Sequence, residues 1–119
     1  MKNDKSLGCY GEELAAQYLL NKGYKILERN YRNHFGELDI IAWDKEFLVI
    51  IEVKTRKSSK YGKPREAVDV YKQENIIRVT HSYLAEKSLW SVPVRFDVIE
   101  IFLKDRETIE HLEGAFQVE

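Results

Sequence analysis

The stretch "GELDIIAWDKEFLVIIEVKTR", Gly36 to Arg56, decides how this chain is read. Two apolar runs, Ile40–Ala42 and Leu48–Ile51, flank the segment Trp43-Asp44-Lys45-Glu46, a spacing that favours two strands joined by a tight hairpin. Away from the turn, each run meets charged residues: Glu37 and Asp39 before the first, Glu52 and Lys54 after the second. Charges at the end of a core strand are costly unless they are paired or coordinated, so this end of the hairpin needs a chemical explanation.

Side chains alternate along a strand with a period of two. With the turn at Asp44-Lys45, Glu37 faces Glu52 and Asp39 faces Ile50. With the turn shifted by one residue, Asp39 faces Glu52 directly. In either register Glu37, Asp39, Glu52 and Lys54 share one face, and Leu38, Ile40, Ala42, Val49, Ile51 and Val53 form an apolar opposite face. Like charges held opposite one another are destabilising, so three carboxylates gathered by folding require counter-charge. Lys54 supplies one unit and a divalent cation would supply two more. Hard oxygen donors with few other ligands suit Mg²⁺ or Mn²⁺. Such an ion beside an amine can activate water and stabilise charge developing on a phosphate. Leu48 and Ile50, on the charged face but nearer the hairpin tip, are expected to be plain core.

The sequence that follows suits a phosphodiester. "KTRKSSKYGKPR", Lys54 to Arg65, carries six basic residues and no acidic one, a composition that can grip a nucleic-acid backbone in a salt-dependent way. The nucleic-acid-binding candidates are Arg56, Lys57, Lys60, Lys63 and Arg65, with Lys72 further on. Each feature alone has a plainer explanation, as a strand-end salt bridge or a solvated loop. Their convergence at one end of one hairpin is what favours a metal-assisted site.

The rest of the chain bounds these readings. At 119 residues, 44% hydrophobic and 33% charged, it has the size and composition of a single globular domain. A net charge of −1 means that an anionic partner would have to be held by a local patch. One cysteine, Cys9, and three dispersed histidines allow no intrachain disulfide and no zinc pattern. The first residues contain no apolar run, so a cytoplasmic protein with no membrane association is expected. There is no phosphate-binding glycine loop and no nucleophile elbow.

Helical spacing of Leu7, Leu14, Ala15, Tyr18 and Leu19 predicts a helix over about 4–22, ended by Gly23, with Glu12 at the border of its apolar stripe. A strand is expected over 24–32. A second helix is expected over 65–87, with Val68, Tyr71, Asn75 or Ile76, Val79 and Tyr83 on its stripe. "VPVRFDVIEIFL" reads as a further strand, and "TIEHLEGAFQV" as an edge strand with a turn at Gly114. Helix, three strands, helix and terminal strands predict an α/β fold, a mixed sheet with helices on both faces.

The segments "GEELAAQYLLNKGYKILERNYR", "GELDIIAWD", "VIIEVKTRKSSKYGKPREAV", "YKQENI" and "RFDVIEI" together resemble, over nearly the whole chain, the YraN-like family of small bacterial proteins. That family is regarded as endonuclease-like and distantly related to archaeal Holliday junction resolvases. The resemblance implies a restriction-endonuclease-like core with a PD-(D/E)xK type of site. Asp39 and Glu52 would then bind Mg²⁺ or Mn²⁺, with the carbonyl of Val53 completing the site. Lys54 would be the motif lysine, and Glu12 would hold a second metal or a metal-bound water. Leu38 stands where the motif has proline. Glu37 and Lys72 match the YraN-like pattern. The implied activity is cleavage of nucleic acid, with DNA, branched or single-stranded, as the expected partner in repair or recombination. A homodimer follows by analogy with resolvases. The competing expectation is a non-catalytic nucleic-acid-binding module that keeps the fold and acts through partner proteins.

Overall fold

A computed structural model describes residues 3–57, 69–103 and 107–117, with side chains described from Leu7 onward in the first helix. The elements are α1 (Asn3–Asn21), β1 (Lys25–Asn33), β2 (Gly36–Asp44), β3 (Phe47–Arg56), α2 (Val70–Lys87), β4 (Val94–Phe102) and β5 (Thr108–Phe116). The five strands form one sheet in the order β1-β2-β3-β4-β5. β3 and β4 are parallel, whereas the other neighbours are antiparallel. The parallel pair needs a long crossover, and the segment containing α2 provides it. α1 covers one face of the sheet and α2 the other, the α/β arrangement predicted from the sequence.

Each face has its own core. Ala15 and Leu19 of α1 pack on Ile40, Ala42, Val49, Ile51, Ile99 and Ile101. Ile76, Val79 and Tyr83 of α2 pack on Ile41, Leu48, Ile50, Phe96 and Val98, so Leu48 and Ile50 are core as expected. Each such Leu or Ile contributes roughly 1.5–3 kcal/mol by leaving water. The central strands carry apolar residues on both faces because both faces are covered.

α1 stops at Gly23, which has a φ of 94°, a conformation that favours glycine and closes helices. α2 starts at Asp69, whose side chain accepts the N–H of Lys72 at 2.8 Å, the usual geometry of an aspartate N-cap. The residues from 65 to 68 expected to begin this helix, Val68 among them, lie outside the described residues. Tyr71 was expected on the buried stripe but is 74% exposed. It precedes the first full turn that meets the sheet, and Thr80 takes a buried place with Ile76, Val79 and Tyr83.

The β2–β3 turn is Lys45-Glu46, with Asp44 opposite Phe47 and Ile40 opposite Ile51. The shifted of the two registers considered is therefore the one adopted. β5 is an edge strand, as expected. Gly114, expected as a turn, instead lies inside β5 with φ 63°, where the pairing with β4 slips between Phe96 and Val98.

One expected face assignment does not hold. Leu38 packs in the α2-side core beside Ile41, not with Ile40 and Ala42 on the α1 side. The β1–β2 ladder pairs Arg29 with Ile40 and Tyr31 with Leu38. The residues between, Asn30 and Asp39, therefore stand opposite one another, and Asn30 has a φ of 56°. A left-handed residue within a strand breaks the alternation of faces, here in β1, beside the point where β2 also departs from strict alternation. The break coincides with the point where β2 leaves β3.

Candidate active site

The β2–β3 ladder ends at the Ile40–Ile51 pair, while β2 stays paired with β1 down to Gly36. Beyond Ile51 the two strands part, and Asp39 sits in the fork. Its Oδ2 accepts the backbone N–H of Val53 at 2.9 Å, a donor that an uninterrupted ladder would direct to the backbone of β2. In an antiparallel pair, a residue's N–H and C=O point to the same neighbouring strand. The Val53 carbonyl therefore opens toward the same fork as Asp39.

Glu37, Asp39 and Glu52 line a cavity of about 170 Å³ whose opposite wall is α2, through Lys72, Asn75, Ile76 and Val79, with Phe35 and Gly36 at the β1–β2 turn. Lys72 Nζ contacts Glu52 Oε2 at 2.9 Å. Glu37 points outward and pairs with Arg32 at 2.7 Å, both side chains more than half exposed. Burial is the main reason that the Asp39 carboxyl is pushed up to about 7. The negative charges of Glu52 and Glu12 add to this, and the Val53 N–H and Lys72 oppose it. The Glu52 contact is the main cause that raises the Lys72 amine above its ordinary value.

Glu12 belongs to α1, on the other face of the sheet from Lys72, yet both act on Asp39. The fork makes this convergence available. Gly11 brings α1 close enough: a Cβ there would lie 1.8 Å from Thr55 Oγ1 and 3.0 Å from Thr55 Cβ. The "GE" of Gly11-Glu12 is thus a contact and a charge, the glycine setting the helix against β3 and the glutamate beside it adding to the negative field on Asp39.

The remaining expected residues are distributed as follows. Lys54 follows Glu52 by two along β3 and lies opposite Glu100 in the β3–β4 ladder; among the described residues its amine joins no ion pair. Arg56 is tied to Glu100, through Nε at 3.3 Å and Nη2 at 3.2 Å. Lys57 is exposed just beyond β3. Lys60, Lys63 and Arg65 lie outside the described residues. Lys72, expected to contact nucleic acid, lines the carboxylate cavity and meets Glu52.

Asp39, Glu52 and the Val53 carbonyl are the oxygen donors that could hold a divalent cation here. Among the described residues, no group of three or more His, Cys, Asp or Glu side chains is arranged to hold a metal ion. Mg²⁺ commonly uses one or two protein carboxylates and retains several waters. The part-buried Asp39 beside Glu52 is the feature that fits such an ion, because a dication would offset both the lost hydration and the Glu52 charge that raise its carboxyl.

The sequence reading passed over a second charged group. Asp97, fully buried in β4, accepts from Arg95 Nε and Nη2 and from the Gly114 N–H, each at 3.0 Å, and lies 2.7 Å from His111 Nε2. Arg95 also donates to Asp44 at 3.0 Å and to the Tyr24 hydroxyl at 2.7 Å. This network ties β4 and β5 to the hairpin tip and the start of β1. Its signal was present in "RFDVIEI", where acidic residues interrupt a core strand just as Glu52 does.

Comparison with known sequences now places the chain. The profile of the family described as "Uncharacterised protein family UPF0102" matches residues 11–101. The chain belongs to the UPF0102 family. Its relatives include UPF0102 proteins of Clostridium botulinum (strain Alaska E43 / Type E3), 46% identical over 98% of both chains, and of Thermodesulfovibrio yellowstonii, 52% identical over 92% of this chain and 95% of the relative. A UPF0102 protein of Caldanaerobacter subterraneus subsp. tengcongensis is 44% identical over 96% of this chain and 97% of its own. The profile spans Gly11, Glu12, Asp39, Glu52, Lys54 and Lys72, and UPF0102 is the family to which the YraN-like resemblance pointed. Among the described residues, no helix is long and apolar enough to cross a membrane.

Proposed function

We propose that this UPF0102 protein is a metal-dependent endonuclease that hydrolyses phosphodiester bonds of nucleic acid. DNA is the substrate, with branched or single-stranded forms the first to test, in repair or recombination. The observation that carries this reading is the convergence on Asp39 of Glu52 from β3, Glu12 from α1 and Lys72 from α2, at a fork between two strands.

When bound, Mg²⁺ or Mn²⁺ supplies Lewis-acid stabilisation of the phosphoryl oxygens and lowers the pKa of a coordinated water. Asp39, Glu52 and the Val53 carbonyl are the residues that would hold it. Asp39 must be ionised to do so, and its elevated pKa couples loading to proton release. Lys54 orients the attacking water or neutralises charge on the phosphate, and Glu12 biases the fork toward cations. Arg56 and Lys57, with Lys60, Lys63 and Arg65, hold the nucleic-acid backbone; Arg56 does this while its Glu100 pair fixes the end of β3.

The test is incubation of the purified protein with a panel of single-stranded, duplex, flapped and four-way DNA and the matching RNAs, in Mg²⁺, Mn²⁺ or EDTA. Cleavage in metal that disappears in EDTA and in Asp39→Ala supports the assignment. Cleavage that survives both treatments refutes the metal mechanism. Salt-dependent binding unaffected by Glu52→Gln, with no cleavage on any substrate, supports the non-catalytic binding module instead.

A further inference from the structure

Glu52 is only 13% exposed in its side chain, and Lys72 meets its Oε2 at 2.9 Å. A carboxylate this buried needs a partner. Here the partner comes from the helix opposite, not from the motif lysine two residues along the same strand. The two members of the pair are held very differently. Glu52 is fixed in a central strand paired with β4. Lys72 has its backbone N–H pinned by Asp69, but its side chain is 51% exposed. A lysine is a point charge on a flexible four-carbon stem, so the amine can leave Glu52 while the helix stays in place.

We propose that Lys72 is the exchangeable counter-cation of this site. Its amine occupies Glu52 in the metal-free protein and is displaced when a divalent cation takes that carboxylate. It then turns to the phosphate of the strand bound in the same cavity. This inference rests on the metal-dependent reading above and adds a role for Lys72 that the motif does not supply.

Charge accounting favours exchange over coexistence. Glu12, Asp39 and Glu52 bring up to three negative charges to the fork, Glu37 at the cavity edge is already paired with Arg32, and Lys72 returns one positive charge. A dication bound at Asp39 and Glu52 would repel an amine still resting on Glu52 Oε2, while the arriving phosphate provides a new anionic partner within the reach of the same stem. Asn75 and Ile76 line the cavity beside Lys72, so the released amine remains at the wall that substrate must pass. Lys54, on the sheet, stays available for the water.

The experiment measures Mn²⁺ binding without nucleic acid, from the paramagnetic resonance signal of free Mn²⁺, for the wild type, Lys72→Met and Lys54→Met at pH 8 and low salt. Removing a competing charged hydrogen bond should tighten binding about tenfold in Lys72→Met. Lys54→Met, which reports the general effect of losing a nearby positive charge, should change it less. Equal tightening in both variants, or unchanged or weaker binding in Lys72→Met, overturns the exchange while leaving the metal site standing. Absence of Mn²⁺ binding in all three proteins overturns the metal reading and the exchange together. Should Lys72→Met fail to fold, Lys72→Gln keeps a donor to Glu52 without the charge and makes the same prediction. A second readout uses Ca²⁺ to load the site and a labelled single-stranded oligonucleotide. Lys72→Met should weaken binding in Ca²⁺ and not in EDTA. Equal weakening in both buffers marks an ordinary surface lysine and overturns the proposal.

Discussion

The Asp39 carboxylate accepts the Val53 N–H at 2.9 Å where β2 has already left β3, so a side chain continues what a backbone ladder began. This substitution opens the sheet at one point. It lets α1 and α2, on opposite faces, act on one carboxylate.

The position of Asp39 has a thermodynamic consequence. Its folded pKa, about 7, lies above the ordinary value of 3.8. Between those values the folded state therefore binds the extra proton, and the associated stability is full below about pH 4 and lost as pH rises through 7. Asp39→Asn keeps an acceptor for Val53 and cannot ionise. In metal-free buffer it should unfold at higher denaturant than the wild type at pH 8, by up to about 4 kcal/mol, with the difference vanishing near pH 4. Urea titrations of both proteins across that range check this.

Metal should act against that ranking. Any ion bound only by the folded state stabilises it by mass action. Mn²⁺ at a hundredfold excess over its dissociation constant should stabilise the wild type by about 2.7 kcal/mol and leave Asp39→Asn and Glu52→Gln nearly unchanged. Thermal melts with and without Mn²⁺, at pH 8 where Asp39 is ionised, provide the comparison.

Gly11 should resist replacement although it lies inside a helix. Alanine is favoured there by about 1 kcal/mol of helix propensity, but its Cβ would stand 1.8 Å from Thr55 Oγ1. Gly11→Ala should destabilise the protein by about 1–3 kcal/mol and lower cleavage by displacing Glu12. Adding Thr55→Ala removes the closest atom and should recover part of the stability. A double-mutant cycle by chemical denaturation measures the coupling.

The Asp97 network should behave as structure. Burial pushes Asp97 up, but its hydrogen bonds with His111, Arg95 and Gly114 outweigh this and leave it below the ordinary 3.8. A depressed pKa contributes stability that is present above the unfolded value and is lost as pH falls through the folded one. Asp97→Asn should cost about 3–5 kcal/mol at neutral pH, with the gap to the wild type narrowing below pH 3.8. Denaturation at pH 7 and pH 3 tests it. Metal affinity per folded molecule should be unaltered.

The strands, both helices and the mixed sheet were legible because Ile40–Ala42, Leu48–Ile51 and the α1 stripe carry strong periodic signals. Asp39 and Glu52 were legible because charges at the end of a core strand violate that pattern. The fork was not, because strict alternation assumes an unbroken strand; the one local hint was Asn30, a residue type that tolerates a positive φ. Leu38 was misplaced because β2 departs from strict alternation where it enters the fork. The pairing of Lys72 with Glu52 was hidden because it joins an exposed helix position to a strand twenty residues earlier, and sequence spacing does not report which amine crosses to which carboxylate.

The most direct test of the central claim is a crystal of the protein soaked with Mn²⁺ and measured at a wavelength where manganese scatters anomalously. An anomalous peak in the fork, with oxygens of both Asp39 and Glu52 about 2.1 Å from it and Lys72 withdrawn from Glu52, is the predicted result. A saturated soak with no peak between Asp39 and Glu52, and Lys72 still seated on Glu52, would contradict it.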